Sequence, residues 1–404
     1  VNGGRFSSHP KVKTAEDGAA LVTNTTPLAL SAFGEVLTTI INPIVQIQFP
    51  YNINTRIVTP TVVGTGSVAQ EESMAVLKTG TDTGSTAKME SKIVVRYNPG
   101  QGGVCKFTAL FTEGAAGTQQ EVGLGDNTDG LFVGFNGVEF IINRRQGGSN
   151  NFVNQSSFNM DTLDGDGPSG MILDTSKMNV FKIQFQWLGA GNLFFNIEDP
   201  VTGRFIMFHT IRYANNFIRP SLDNPTFPLR VFVDNGATVL DIVTKVGSMG
   251  GFTEGIVRDD GPINFSAVLG TAVSTTIIPV LSIRNKTTYQ TKVNKVLIKL
   301  LNIGIINTGG KELLAQLILN GSLTDASFSS IDTNTSVMEE DSSASAITGG
   351  INLLPFLVKD SDSKDFDLLA EDIKLNPGDT LTIAAISTAS GTTTDVDITW
   401  KEIF

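Results

Sequence analysis

Apolar residues in this chain either alternate with polar ones or gather in runs of four to eight, and Gly, Asn, Asp or Pro closes almost every run. Both patterns are those of β-strands: alternation gives a sheet one wet face, and a short continuous run suits a strand covered on both sides. The segment 180–187 illustrates the rule. Phe181, Ile183, Phe185 and Trp187 fall on one face and Val180, Lys182, Gln184 and Gln186 on the other, because successive side chains point to opposite sides of a pleated strand. One aromatic face and one wet face predict a sheet of a sandwich. Similar strands are predicted at 92–97, 131–135 and 193–197, with turns at Asn98-Pro99-Gly100, Asn136-Gly137, Asp234-Asn235-Gly236 and Asn376-Pro377-Gly378. The helical signal is confined to 312–319, which reads equally well as a strand.

The pattern divides the chain into three zones. Residues 1–45 are weakly patterned and bury too little to fold alone, so they read as an extended arm or attachment segment. Ten or more candidate strands fill 46–257. A charged junction, Arg258-Asp259-Asp260-Gly261-Pro262, interrupts them. Beyond it, 263–404 restarts a β pattern that is aliphatic and poor in aromatics, with strands predicted at 277–283, 293–306, 313–319, 351–358, 380–386 and 395–403. That length suits an eight-stranded jelly-roll sandwich.

Composition narrows the chemistry. The 404 residues carry 29 Lys+Arg against 40 Asp+Glu, a formal charge of −11, which argues against wrapping nucleic acid or anionic lipid. One cysteine builds no disulfide framework or zinc-thiolate site, and two histidines leave little for metal or acid–base chemistry. No apolar run approaches the ~18–20 residues of a membrane span. The chain starts at Val1 with nothing resembling a signal peptide, which reads as a fragment or a processed product.

Several stretches resemble segments of virion-associated proteins from double-stranded DNA viruses, both tailed phages and large algal or amoebal viruses. They are 31–37 with 43–51, Tyr97-Asn98-Pro99-Gly100-Gln101-Gly102 with 107–111, 125–135, and Phe185-Gln186-Trp187-Leu188-Gly189-Ala190-Gly191. In the last zone, 282–289, 332–337, 375–380 and the terminal Trp400-Lys401-Glu402-Ile403-Phe404 are similar to the same group. The resemblance spans about 30–404. It implies an all-β protein: an N-terminal arm (1–45), a concanavalin-like β-sandwich (46–257) and a C-terminal jelly-roll β-sandwich (263–404). It carries no active-site residue across.

Candidate sites are sparse. The run 161–170 places Asp161, Asp164 and Asp166 within six positions, and alternating loop carboxylates can ligate Ca2+. The final acidic ligand of an EF-hand is missing, so the run reads as a turn, with Asp164 and Asp166 as weak candidate metal ligands. Glu339-Glu340-Asp341 and 360–365 read as solvated loops or edge protection. A retaining glycosidase needs two carboxylates about 5–5.5 Å apart. The laminarinase-like Glu-x-Asp-x-x-Glu is absent, Glu198-Asp199-Pro200 reads as a strand end, and Glu121 and Glu139 stand alone. His209 reads as a strand-face histidine, Cys105 as a small buried thiol, and 100–103 as a turn. Tyr97, Trp187 and Tyr213 are candidates for a sugar-stacking platform, although aromatics of a sandwich belong mostly to its core.

The reading from sequence is a non-enzymatic structural protein of the virion surface, of capsid fibre, decoration or minor capsid type. It is expected to need no cofactor, to form a homo-oligomer (a trimer by analogy with fibres) and to meet other capsid proteins through the arm. The alternative is a lectin-like fibre that binds a host glycan; a polysaccharide-cleaving enzyme is third.

Overall fold

The computed structural model describes residues 40–256 and 261–404, together with the backbone of a short ladder pairing Lys13–Thr14 with Ala20–Leu21. The rest of the expected arm up to residue 39, and residues 257–260 of the junction, lie outside the described residues. The chain divides into two compact units, Val1–Val257 and Arg258–Phe404. Sheets make up both. Among the described residues the helical content is a single 3-10 turn, Gln155–Ser157, and the ambiguous 312–319 is a strand, Leu313–Leu319.

The first unit is two antiparallel sheets packed face to face. One has seven strands, in the order Ser149–Asn154, Glu139–Gln146, Gly130–Asn136, Gln119–Gly125, Phe227–Asp234, Thr86–Val95, Val58–Val63. The other has eight. Seven run in the order Phe205–Ile211, Leu193–Glu198, Asn179–Phe185, Gly102–Phe111, Val243–Glu254, Met74–Lys78, Ser67–Glu71, and Ile41–Gln48 joins the far half of Val243–Glu254. This first strand begins at Ile41 and buries Val45, so the last residues of the expected arm belong to the sandwich.

Aromatic rings close the gap between the sheets. Phe111 of one sheet meets Phe135 and Phe140 of the other at centroid distances of 6.0 and 6.1 Å, Phe140 meets Phe181 at 6.3 Å, and Phe185 meets Phe227 at 5.7 Å. Phe181, Ile183 and Phe185 point inward as their alternation requires. Their opposite face is drier than expected: Gln184 and Gln186 are buried, because Glu254 accepts from Gln184 Nε2 (2.6 Å) and the Gly100 carbonyl accepts from Gln186 Nε2 (3.0 Å).

Eight long strands build the second unit: Ile263–Val273, Ile278–Asn285, Leu297–Gly309, Leu313–Leu319, Ile351–Val358, Ser363–Asp367, Thr380–Ser387 and Thr392–Ile403. Counted in chain order, one sheet runs first, eighth, third, sixth and the other second, seventh, fourth, fifth. This interleaving is a jelly roll. Met338–Asp341 extends the second sheet beside Ile278–Asn285. Of the two readings of this acidic run, solvated loop and edge protection, the loop is excluded: the run is a strand near the end of the sheet. Asp341 is buried and accepts backbone N–H bonds from Ser327 and Ala344, Glu339 pairs with Arg284 at 2.6 Å, and Glu340 accepts from the Ser266 hydroxyl.

The core of this unit is aliphatic, centred on Ile298, Leu300, Ile303, Leu317, Ile383 and Ile398, with Trp400 as its one large ring of full burial. Beside it the buried Glu402 accepts from Trp400 Nε1 (3.2 Å), Ser336 Oγ (2.5 Å), Asn264 Nδ2 (2.8 Å) and Val337 N (2.9 Å). Four donors converge on one carboxylate, so its loss strands all of them; each buried orphan costs about 1–3 kcal/mol. Glu402→Ala is therefore expected to lower the urea midpoint of this unit by the equivalent of about 3 kcal/mol or more, with Glu402→Gln losing less.

Candidate functional site

A groove of about 380 Å³ crosses the outer face of the eight-stranded sheet. Two features of the long strand Val243–Glu254 create it. Between Val246 and Met249 its register against Gly102–Phe111 shifts, so that Gly247 and Ser248 both oppose Thr108. Such a bulge bends a strand and re-aims its side chains. At the same point the strand changes neighbour on its other side, from Met74–Lys78 to Ile41–Gln48. The walls that result are Gln46, Gln48, Lys106, Thr108, Ser248 and Phe252. Gly250 forms the floor under Phe252: a Cβ there would lie 2.8 Å from the ring.

Strand parity aligns a polar row across this face. Because Cys105, Phe107 and Phe181 enter the core, Lys106 and Lys182 must face outward, and the ladder places them directly opposite one another. The row continues to Gly250 and Gln46 on one side and to Asn196 on the other. Lys106 Nζ lies 5.6 Å from the centre of the Phe252 ring and Lys182 Nζ lies 5.1 Å from that of Phe205. Burial and the Lys106 charge hold Lys182 below the ordinary lysine range, while Glu254 opposes them. Among the described residues lining the groove there is no Asp, Glu or His.

The outer face of the seven-stranded sheet carries a different construction. Glu121, read as lacking a second carboxylate to form a glycosidase pair, is fully buried: it accepts two bonds from Arg145 Nη2 (2.8 and 2.9 Å), one from Asn143 Nδ2 (2.8 Å) and one from Gln119 Nε2 (2.8 Å). Arg145 also lies 4.9 Å from the centre of Phe132. Next to it the buried Arg230 donates to Glu90 (2.9 Å) and Asn127 (2.7 Å); burial lowers its pKa and the Glu90 and Glu121 charges oppose that. Asn143 and Arg145 lie on a different strand from Glu121, and Arg230 on a different strand from Glu90, so no local motif announces these contacts. A carboxylate engaged in four hydrogen bonds is poorly placed to protonate a leaving group or attack a sugar, and Glu139 is exposed at a hairpin end.

The remaining candidates from sequence fall in separate places. In the 161–170 loop, Asp161 is buried and accepts from Leu163 N (2.9 Å) and Ser169 N (2.8 Å), while Asp164 accepts from Thr162 Oγ1 (2.7 Å) and Asp166 N (3.0 Å). The loop closes on its own hydrogen bonds. Asp166 is exposed, and no group of three or more His, Cys, Asp or Glu side chains gathers at metal-binding spacing among the described residues. Cys105 is buried in the core, which raises its thiol pKa far above the usual range. Glu198 ends the strand Leu193–Glu198 and Asp199 caps the following turn. Of the aromatic platform, Tyr213 is buried, and Trp187 is half-buried edge-on to Tyr97 at 5.6 Å. The ring in the groove is Phe252, which the sequence did not single out.

No family model and no curated protein matches the sequence. Among solved structures the chain is similar to a glycosyl hydrolase family protein from Mycobacterium fortuitum, at 13% identity and a TM-score of 0.35, over 52% of this chain and 99% of that one. It is similar too to a legume lectin-like domain from Entamoeba histolytica, at 17% identity and a TM-score of 0.32, over 52% of this chain and 97% of that one. A third is arcelin-5, a lectin-like defense protein from Phaseolus vulgaris, at 11% identity and a TM-score of 0.34, over 52% and 99%. These likenesses concern the course of the chain and assign no residue a role.

His209 is buried against Phe158 and Phe195, and its Nδ1 accepts from Asn159 N at 3.2 Å. Burial depresses its pKa from 6.5 to about 4. The unfolded chain then binds a proton near pH 6.5 that the folded chain refuses until about 4, so stability is lost as pH falls through that window. Urea midpoints at pH 7.5 and 4.5 are expected to differ less in His209→Gln than in the parent.

Proposed function

We propose that this chain is a carbohydrate-binding β-sandwich protein that recognises its ligand without cleaving it. The groove on the eight-stranded sheet carries the reading. Its walls offer amides (Gln46, Gln48), hydroxyls (Thr108, Ser248) and one aromatic ring (Phe252), a set that matches the hydroxyl-studded edge and apolar face of a sugar. No carboxylate lines it to act as acid, base or nucleophile. The test is an oligosaccharide array probed with the parent and with Ser248→Trp, which fills the groove from an exposed position. The parent should bind and the variant should lose at least tenfold in affinity, with no reducing sugar released. Equal binding by both, or none by the parent, would overturn the reading.

A second reading, a structural protein of a virion surface, is favoured by the second unit. Ile263–Val273 is an edge strand, and its outward row exposes Ile263 (60%), Phe265 (70%) and Leu269 (78%) while Ser266 and Val273 turn inward. Natural edges are usually blunted by charge, so an apolar edge fits self-association through contact between copies. Sedimentation should show an oligomer that Phe265→Asp with Leu269→Asp reduces to monomer; a monomeric parent at micromolar concentration counts against it.

A further inference from the structure

Lys106 is the one charged residue among the described residues lining the proposed groove, and the ladder places Lys182 directly opposite it on the same face, just outside the lining. Like charges directly opposite in a sheet are destabilising. On the opposite sheet the arginines of the outer face are matched: Arg145 has Glu121 and Arg230 has Glu90. Lys106 and Lys182 have no carboxylate at ion-pair distance among the described residues. Glu254, the acid whose field reaches Lys182, is engaged by Gln184. The chain as a whole carries a net charge of −11, so this pair is a local exception to its acidic balance.

Each lysine is also held in place. Lys106 is carried over Phe252 and Lys182 over Phe205, which limits how far either ammonium can swing into solvent. A fixed, partly desolvated pair of cations beside a polar groove lacks one thing, a negative charge supplied from outside. Binding an anion there would relieve the repulsion between the lysines and add charge-assisted hydrogen bonds.

We infer that the groove takes an acidic glycan, one whose carboxylate or sulfate lies between Lys106 and Lys182 while its sugar ring contacts Gln46, Gln48 and Phe252. The inference rests on the carbohydrate reading and narrows it to a ligand class.

Isothermal titration of the full chain at low ionic strength with three probes tests it: trigalacturonate, its methyl ester, and a sulfated galactan trisaccharide. The expected result is binding of at least one acidic probe at least tenfold tighter than the ester, weakening steeply as salt is added. Preference between the two acidic probes separates a carboxylate ligand from a sulfate one. Lys106→Met and Lys182→Met should each cost about tenfold or more toward the acidic probe. Lys106→Arg should retain most of the affinity, which separates loss of charge from loss of packing. Equal affinity for acidic and neutral probes, or unchanged binding by both Met variants, would overturn the acidic preference and leave the carbohydrate reading intact. Binding to neutral array sugars alone also overturns it. Failure of every sugar, acidic or neutral, removes both.

Discussion

Interleaving of phenylalanine rings between the two sheets of the first unit is the constraint on which the rest depends. Phe107, Phe111, Phe135, Phe140, Phe181 and Phe185 must all point inward to fill the gap. Because a strand alternates strictly, placing them inward places their neighbours outward with no remaining freedom. Lys106 and Thr108 flank Phe107, Lys182 flanks Phe181, and Gln184 lies between Ile183 and Phe185. The outer polar row is thus a by-product of the core. A slip of one residue in either strand would bury its lysine and expose its two rings, so the register of the groove is protected by the energy of the whole sandwich.

This logic explains what was legible in the sequence and what was not. The two faces of 180–187 could be read directly, since parity needs no tertiary information; so could the strands of the second unit, whose aliphatic alternation survives at Leu313–Leu319 and Ile351–Val358. The jelly-roll size followed from length. The groove could not be read, because it joins strands far apart in the chain: Gln46 is brought beside Gly250, and Gly250 beside Lys106, only by the sheet order. Its bulge at Gly247 and Ser248 leaves no mark that distinguishes it from an ordinary small-residue pair in a strand. The hydrogen-bond partners of Glu121 could not be read for the same reason, since Arg145 and Asn143 belong to another strand and the Arg230–Glu90 pair next to it spans still more of the chain. The acidic runs left two readings open, solvated loop and edge protection. Glu339-Glu340-Asp341 has the composition of a loop, yet donors from Ser327, Arg284 and Ser266 make it a strand.

The two outer faces of the first unit treat charge in opposite ways, and the contrast bears on function. On the outer face of the seven-stranded sheet Arg145 pairs with Glu121 and Arg230 with Glu90, and Glu121 accepts four hydrogen bonds. Removing one partner there would leave an uncompensated charge at a cost of about 3–5 kcal/mol, so the cluster is rigid and belongs to stability. On the eight-stranded sheet the lysines are aligned by the same parity but left without such partners. A closed network has nothing further to gain from a ligand, whereas an unbalanced one does. Energetic incompleteness, more than the size of any cavity, is what separates a surface that has finished folding from one that is ready to bind.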